Sequence, residues 1–87
     1  MKEFNEGYEI IAAETFCIRP WDDGEERIVL GKMDTRFGTH YVTWESLRHP
    51  ENEEADFFWG HYFDDERQAR ADYHRRLADH YCPSDEG

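Results

Sequence analysis

The side chains in this sequence that could bind a metal ion or transfer a proton are five histidines, two cysteines and 21 acidic residues. No HExxH or His-x-His pattern occurs among the histidines. On the predicted C-terminal helix, His74 and His80 are six residues apart, so their rings point to nearly opposite sides. We therefore predict structural histidines, and no metal site, at His40, His49, His61, His74 and His80.

His61 is the histidine with the most informative position, because it stands between Trp59 and Phe63 on the predicted inner face of a strand. Two interpretations fit this position. A hydrogen-bonded core histidine is the simpler one. A partly buried imidazole that makes folding sensitive to pH near about 6 is the other.

The acidic residues do not indicate catalysis. In a chain with 36% charged residues, pairs of carboxylates occur everywhere, so a pair says little about a general acid and base. No Ser-His-Asp or Cys-His pattern and no glycine-rich phosphate loop stands out. The segment DDGEE (22–26) lacks the alternating ligands and the length of a calcium loop. We expect no enzyme and no cofactor.

The two cysteines and the hydropathy indicate the compartment. Cys17 lies in an apolar run and Cys82 in the polar end of the chain, and they match no CxxC or zinc spacing. We expect both to be free thiols in a reducing cytoplasm. No stretch approaches the roughly 20 apolar residues that span a bilayer, and the first residues lack the pattern of a signal peptide. The sequence thus predicts a soluble, cytoplasmic protein.

Aromatic residues distinguish this acidic chain from a disordered one. A net charge of −11 is typical of disorder. However, six Phe, five Tyr and three Trp make up 16% of the 87 residues, and each ring can bury about 150 to 250 Å². We predict a single folded domain over residues 1–87, with an aromatic core and a small stability margin.

Four segments have the alternation, or the β-branched and aromatic composition, of strands: residues 8–18, 26–33, 40–46 and 57–63. Asp23-Gly24 predicts a tight hairpin turn, because both central positions of the favoured turn need positive φ. Gly38 marks a second turn. Pro50 and its acidic neighbours predict a solvated loop over residues 47–56.

A helix is predicted over residues 65–81, with acids in its first turn and arginines later, the order that the helix dipole favours. Its apolar stripe repeats every four residues, at Ala69, Tyr73, Leu77 and Tyr81. Pro83 ends the helix, and residues 82–87 are expected to form a frayed tail.

The elements predict an α+β fold with two layers: a four-stranded antiparallel sheet followed by one C-terminal helix, in ββββα order. A helix about 10 Å wide covers only part of one face of a sheet nearly 20 Å across (about 4.8 Å per strand). The other face is expected to be open, as an interface would be.

Alternation along the fourth strand divides its rings between the two faces. Phe58 and Tyr62 are expected on the open face. We expect Trp59 to share one core with Trp44 and Tyr73, so that its replacement by alanine costs about 3 to 5 kcal/mol. The rings expected on the covered face are Phe57, Trp59, His61 and Phe63.

Acidic residues are concentrated in two parts of the chain. Residues 1–26 hold eight acids and two bases, a net charge of −6, and residues 45–66 hold eight acids and one base, a net charge of −7. Residues 67–81, with four arginines and two acids, carry +2. Such a chain repels nucleic acid and attracts a basic partner. We expect no direct binding of DNA, RNA or membrane.

Two interpretations of the acidic clusters remain open. Ordinary solvated surface is the simpler one, with the helix arginines paired to nearby acids. The other is imitation of a nucleic-acid backbone towards a basic host protein. The predicted partner-binding residues are Glu51, Glu53, Glu54, Asp56, Asp22, Asp23, Glu25, Glu26, Phe58 and Tyr62.

The segments YVTW (41–44) and WGHYF (59–63), followed by Ala69 and by DY (72–73), resemble small acidic proteins carried by bacterial phages and other mobile elements. The resemblance covers roughly residues 40–77. Such proteins include inhibitors of host defences, anti-CRISPR proteins among them.

The resemblance implies structural roles for its residues. Trp44 and Trp59 would be core rings, Gly60 would let another side chain pass closely, and Ala69 and Tyr73 would belong to the helix stripe. For function, it implies the context of phages and mobile elements, and no inhibitor motif is carried over residue by residue; together with the acidic clusters, this context leads us to expect a phage or mobile-element inhibitor of a basic host protein. The alternative from the residues is a small structural or assembly partner that uses the open aromatic face, as in a homodimer.

Overall fold

A computed structural model of the chain describes residues 2–52 and 54–80. The strands lie side by side in chain order, and all neighbours are antiparallel. The predicted α+β class is confirmed, but the sheet has five strands instead of four. The elements are β1 (Phe4–Asn5), β2 (Tyr8–Ile18), β3 (Glu25–Thr35), β4 (Gly38–Arg48), β5 (Asp56–Phe63) and α1 (Glu66–His80).

The additional strand, β1, is only two residues long and pairs with the start of β2. Glu6 and Gly7 close the hairpin with φ values of 52° and 83°, the conformation that two-residue hairpin turns favour. Two residues are too few to show alternation, so a sequence pattern could not reveal this strand.

The predicted strand over residues 8–18 coincides with β2, whereas β3 and β4 extend further than predicted. Their pairing continues to Thr35 and Gly38, next to the hairpin turn. The hairpin predicted at Asp23-Gly24 is confirmed, since β2 and β3 pair antiparallel on either side of these residues, but the two-residue turn with positive φ at both positions is wrong. The amide of Arg19 donates to the carbonyl oxygen of Gly24 over 2.9 Å, which closes a longer loop, and only Asp23 has a positive φ, of 58°.

Helix α1 agrees with the predicted segment over the residues that the structure describes. Asp65 caps its N-terminus, because the Asp65 carboxylate accepts a hydrogen bond of 2.8 Å from the amide of Arg67. The predicted stripe residues Ala69, Tyr73 and Leu77 are buried. Tyr81 and the predicted frayed tail, residues 82–87, lie outside the described residues.

The helix packs on one face of the sheet, here called the helix face. Its core consists of the stripe together with Ile28, Leu30 and Tyr41, and Phe16 and Phe63 pack against it. These contacts form the larger of the two hydrophobic cores found among the described residues.

The opposite face, here called the ring face, is not open as predicted. Val29, Val42 and Trp44 are buried there although no helix in the described part of the chain covers them, and only 4% of Trp44 is exposed. Tyr8 and Phe57 pack over this cluster, with ring centroids 5.6 Å and 5.4 Å from that of Trp44. Tyr8 and Phe57 therefore cover part of the second face from within the chain.

Register shifts in the β2–β3 pairing help to bring side chains from distant strands together over the ring face. Strand β2 has register shifts between Ile10 and Ala12 and between Thr15 and Cys17, and bulges of this kind increase twist. The rings of Tyr8 and Tyr62 meet across the face with centroids 6.2 Å apart, although two strands separate β2 from β5.

A bulge in β5 reverses the alternation that the sequence predicts. Thr43 pairs with His61 and Glu45 with Phe58, so Trp59 and Gly60 together oppose one residue of β4. As a result, Phe57 packs on the ring face and Phe63 on the helix face. The expectation that these two rings share a face is wrong.

The three rings expected in one core lie apart. Trp44 belongs to the ring face and Tyr73 to the helix face, while Trp59 is 68% exposed and belongs to neither. The expected close passage at Gly60 is confirmed, because a Cβ at Gly60 would lie 2.8 Å from Nε1 of Trp44.

Candidate functional site

The fold brings both acidic clusters to one end of the sheet. Nε2 of His49, in the β4–β5 loop, lies 2.9 Å from Oδ2 of Asp22, in the β2–β3 loop. Glu25 and Arg48, which border these loops, are paired across β3 and β4. We call this region the acidic end; its described acids are Asp22, Asp23, Glu25, Glu26, Glu51, Glu54 and Asp56.

Asp22 is a structural member of this end. Its Oδ1 accepts a hydrogen bond of 2.9 Å from the amide of Gly24, and its Oδ2 lies 3.5 Å from the Arg19 guanidinium. The Gly24 amide, and then the His49 ring, lower the pKa of Asp22 below its ordinary value. Asp22 therefore organises the loop, and most of its charge is already compensated.

The rest of the first cluster is divided between paired and unpaired acids. Glu26 lies 3.0 Å from Nε of Arg19. Asp23 and Glu25 form no ion pair with any residue that the structure describes. Asp23 is exposed and Glu25 half-buried, so these two can act on a partner.

The second cluster lies in the β4–β5 loop and at the start of β5, and Lys2 and Arg48 line the same cavity as its Glu54. Glu51, Glu54 and Asp56 are exposed, and none of them forms an ion pair with another residue in the described part of the chain. Glu53, also predicted to bind a partner, lies outside the described residues. The negative field of the acidic end therefore comes largely from the β4–β5 loop and the start of β5.

A groove of about 280 Å³ borders the acidic end on the helix face. It begins where the described part of α1 ends: the His80 ring stacks on Phe16 with centroids 4.0 Å apart, and its Nε2 lies 3.4 Å from Glu45. The groove is lined by Phe16, Arg19, Glu26, Glu45, Ser46, Leu47, Phe58 and Trp59.

Trp59 forms the edge of this groove in an unfavourable backbone conformation. Its φ is 58°, at the bulge position where glycine is usual. A left-handed conformation costs a residue with a Cβ about 1 to 2 kcal/mol. The guanidinium of Arg76 donates to the Trp59 carbonyl oxygen and holds the bulge against the helix.

Asp72 connects the helix to this bulge. Its Oδ2 accepts hydrogen bonds from Thr43 (2.6 Å) and Arg76 (3.2 Å) and lies 3.0 Å from Nδ1 of His61. Burial acts to raise the pKa of Asp72, but the Thr43 and His61 hydrogen bonds and the nearby charges outweigh it and lower the pKa. The ionised carboxylate thus fixes Arg76, which in turn fixes Trp59.

His61 is consequently a hydrogen-bonded histidine at the surface and not a core residue, because its side chain is 55% exposed. The arrangement is not that of an activated nucleophile, since the Thr43 hydroxyl donates directly to a carboxylate and to no imidazole.

The two aromatic residues predicted to bind a partner do not lie together. Phe58 lines the groove on the helix face, whereas the Tyr62 ring contacts Tyr8 and Trp44 on the ring face. The groove residues Phe16 and Leu47 could not be identified from the sequence, because no local pattern shows which part of the sheet the helix leaves uncovered.

A larger cavity, of about 560 Å³, lies between the first residues and the β4–β5 loop. Its wall is mainly polar, and Lys2, Glu6, Arg48 and Glu54 are among the residues that line it. Beside it, Glu3 accepts hydrogen bonds of 3.2 Å and 2.9 Å from the buried Arg27. The exposed ring of Phe4 also lines this cavity, but charges of both signs make it a weaker candidate for binding a basic protein.

Within residues 2–52 and 54–80, no three His, Cys, Asp or Glu side chains are grouped so that they could bind a metal ion. The described part of the chain also contains no helix with the length and apolarity needed to cross a membrane. Of the two predicted free thiols, Cys17 is free and exposed; Cys82 lies outside the described residues.

The fold and the site define a small α+β protein in which a five-stranded antiparallel sheet carries one helix, with an acidic end beside an apolar groove. In comparisons with known proteins, no family model, no curated protein and no solved structure matches the chain.

Proposed function

We propose that this chain is a small acidic protein-binding domain that blocks a basic, nucleic-acid-handling protein of a bacterial host. In this proposal it is a phage or mobile-element inhibitor, of the anti-CRISPR kind, that acts in the cytoplasm by imitating a nucleic-acid backbone. The observation that carries the proposal is the contact of Asp22 with His49, because it joins two acidic loops at one end of the sheet.

Electrostatics support a basic partner. The net charge is −11, and charges closer together than the Debye length of about 8 Å at physiological salt act jointly on an approaching molecule. The exposed acids Glu51, Glu54 and Asp56 form no ion pair with described residues. Such a surface speeds the association of a basic partner and repels nucleic acid.

The alternative function, a homodimer through one aromatic face, has less support. Phe58 and Tyr62 lie on opposite faces, so they cannot form one aromatic patch. Two copies that each carry −11 also repel one another.

The test begins with capture of partners from a bacterial host lysate at low and at high salt, followed by binding kinetics with the purified partner. The variant Glu51→Gln/Glu54→Gln removes two charges from the acidic end. Asp34→Asn/Asp64→Asn removes two exposed charges from the opposite end, next to the β3–β4 hairpin, and is the matched control.

We expect the first variant to lower the association rate and the salt dependence, and the control to change both less. Equal effects of the two variants would show that only the net charge matters and would remove the acidic end as the binding site.

A further inference from the structure

We infer that the groove beside the acidic end receives an apolar anchor side chain from a basic amphipathic segment of the partner. The inference rests on the proposed function, since it takes the partner to be basic. It adds the mode of binding: an apolar side chain seated between Phe58, Trp59 and Leu47, with basic side chains over the surrounding acids.

The size of the groove favours a side chain as its occupant. Its volume of about 280 Å³ is below the roughly 300 to 1,000 Å³ of small-molecule sites. Phe16, Leu47 and Phe58 supply apolar walls. Buried aromatic and apolar anchors of this kind provide most of the affinity in protein interfaces.

The rim of the groove favours a basic occupant. Glu26 and Glu45 line it, paired with Arg19 and His80, and Asp56, which has no ion-pair partner among the described residues, lies opposite Leu47 on the neighbouring strand. Its one described cation, Arg19, is already bound to Glu26 and Asp22. The partner's lysines or arginines would find carboxylates here, and the exposed face of Trp59 suits a cation–π contact.

The backbone conformation and the exposure of Trp59 indicate that the edge of the groove contacts a partner and does not stabilise the fold. The residue occupies a backbone conformation that favours glycine, yet it carries the largest side chain and leaves 68% of it exposed. Trp21, also exposed, lies beyond Arg19, whose guanidinium is 6.0 Å from its ring centroid. Exposed tryptophans beside an apolar groove are typical of interface hot spots.

Other occupants fit less well. A second copy of the chain would bring another net charge of −11 to an acidic rim, and a nucleic acid would be repelled likewise. A basic amphipathic segment combines an apolar face for the groove with cations for the rim, the arrangement of helix-in-groove recognition.

The experiment uses two synthetic peptides of identical composition, free of tryptophan and about four helical turns long. One has Leu and Phe on one face and Lys on the other; the second has the same residues scrambled so that no apolar face forms. Binding to the full chain is followed by tryptophan fluorescence at low salt and by amide chemical shifts in NMR.

We expect the amphipathic peptide to bind at least about tenfold more tightly than the scrambled one and to shift the amides of Leu47, Phe58 and Trp59. Phe58→Ser and Trp59→Gly should each remove this preference. Phe37→Ser is the matched control, because Phe37 is 87% exposed at the distant β3–β4 hairpin; it should leave the preference unchanged.

Three results would show that the groove is not the binding site. Equal affinity for both peptides overturns the groove and leaves the acidic end as the site of a basic partner. A preference that survives in Phe58→Ser and Trp59→Gly, both still folded by circular dichroism, also overturns the groove. If neither peptide binds at low salt, both the groove and the proposed attraction of a basic partner are wrong.

Discussion

Oδ2 of Asp22 lies 2.9 Å from Nε2 of His49, 27 positions further along the chain. The same carboxylate accepts a hydrogen bond from the amide of Gly24. Asp22 thus closes one loop and ties it to another. An acid that the sequence groups with the partner-binding residues has a structural role instead.

The first prediction is that Asp22 contributes to thermal stability and its neighbour Asp23 does not. Asp22→Ala should lower the melting temperature, because Gly24 and His49 lose their acceptor. Asp23→Asn should change it little, since asparagine tolerates the positive φ of this position. Thermal unfolding by circular dichroism measures both. Equal melting temperatures of Asp22→Ala and the parent would contradict the structural role.

The second prediction concerns two tryptophans. Trp44→Ala should cost about 3 to 5 kcal/mol, because its ring is buried among three others. Trp59→Gly should change the free energy of unfolding by no more than about 1 kcal/mol, since relief of the left-handed strain offsets the greater chain entropy of glycine. Urea unfolding compares them, and a loss above about 3 kcal/mol for Trp59→Gly would place Trp59 in the core after all.

The third prediction is the pH dependence contributed by Asp72. Its pKa is lower in the folded chain, so its stabilisation is present above the unfolded pKa of about 3.9 and is lost as the pH falls through the folded pKa. Asp72→Asn should cost about 3 kcal/mol or more at pH 7, because it leaves the buried Thr43 and Arg76 without a charged acceptor.

The measurement for Asp72 is urea unfolding of the parent and of Asp72→Asn between about pH 7 and pH 3. The difference between the two should shrink towards acid. A difference that stays constant over this range would mean that the Asp72 charge does not stabilise the fold.

The fourth prediction tests how closely the ring face is packed. A Cβ at Gly31 would lie 3.1 Å from side-chain atoms of both Tyr8 and Val42. Gly31→Ala should therefore cost about 1 to 3 kcal/mol through overpacking. Gly38→Ala cannot serve as the control, because the φ of Gly38, 132°, is itself unfavourable for alanine. The control is Ala13→Gly, at an exposed strand position, which measures the effect of an alanine–glycine change in a strand without close packing. If Gly31→Ala leaves the free energy of unfolding unchanged, the ring face is not closely packed at this position.

The fifth prediction concerns association. Glu51→Gln/Glu54→Gln should lower the association rate for a basic partner by a few-fold at low salt and change the dissociation rate less, because rim charges act mainly on the encounter. Stopped-flow or surface-based kinetics over a salt series would show this. A change confined to the dissociation rate would instead indicate direct contacts at these two residues.

Local patterns determined the regular part of this fold. Alternation identified β2, and the spacing of Ala69, Tyr73 and Leu77 identified the buried stripe of α1. These features depend on residues close in sequence, for which helix and strand periodicity is a direct physical constraint. The net charge of −11 is likewise a property of composition alone, and it favours a basic partner whatever the fold.

Only the tertiary structure decided where the rings and the acids lie. One bulge at Trp59 and Gly60 moves Phe57 and Phe63 to opposite faces, because side chains alternate with a period of two and one extra residue reverses every later position. The bulge is stabilised by Arg76, 17 positions away, and the acidic end by the contact of Asp22 with His49. Contacts between residues so distant in sequence leave no local pattern, so the groove and the joined acidic loops follow from the folded chain alone.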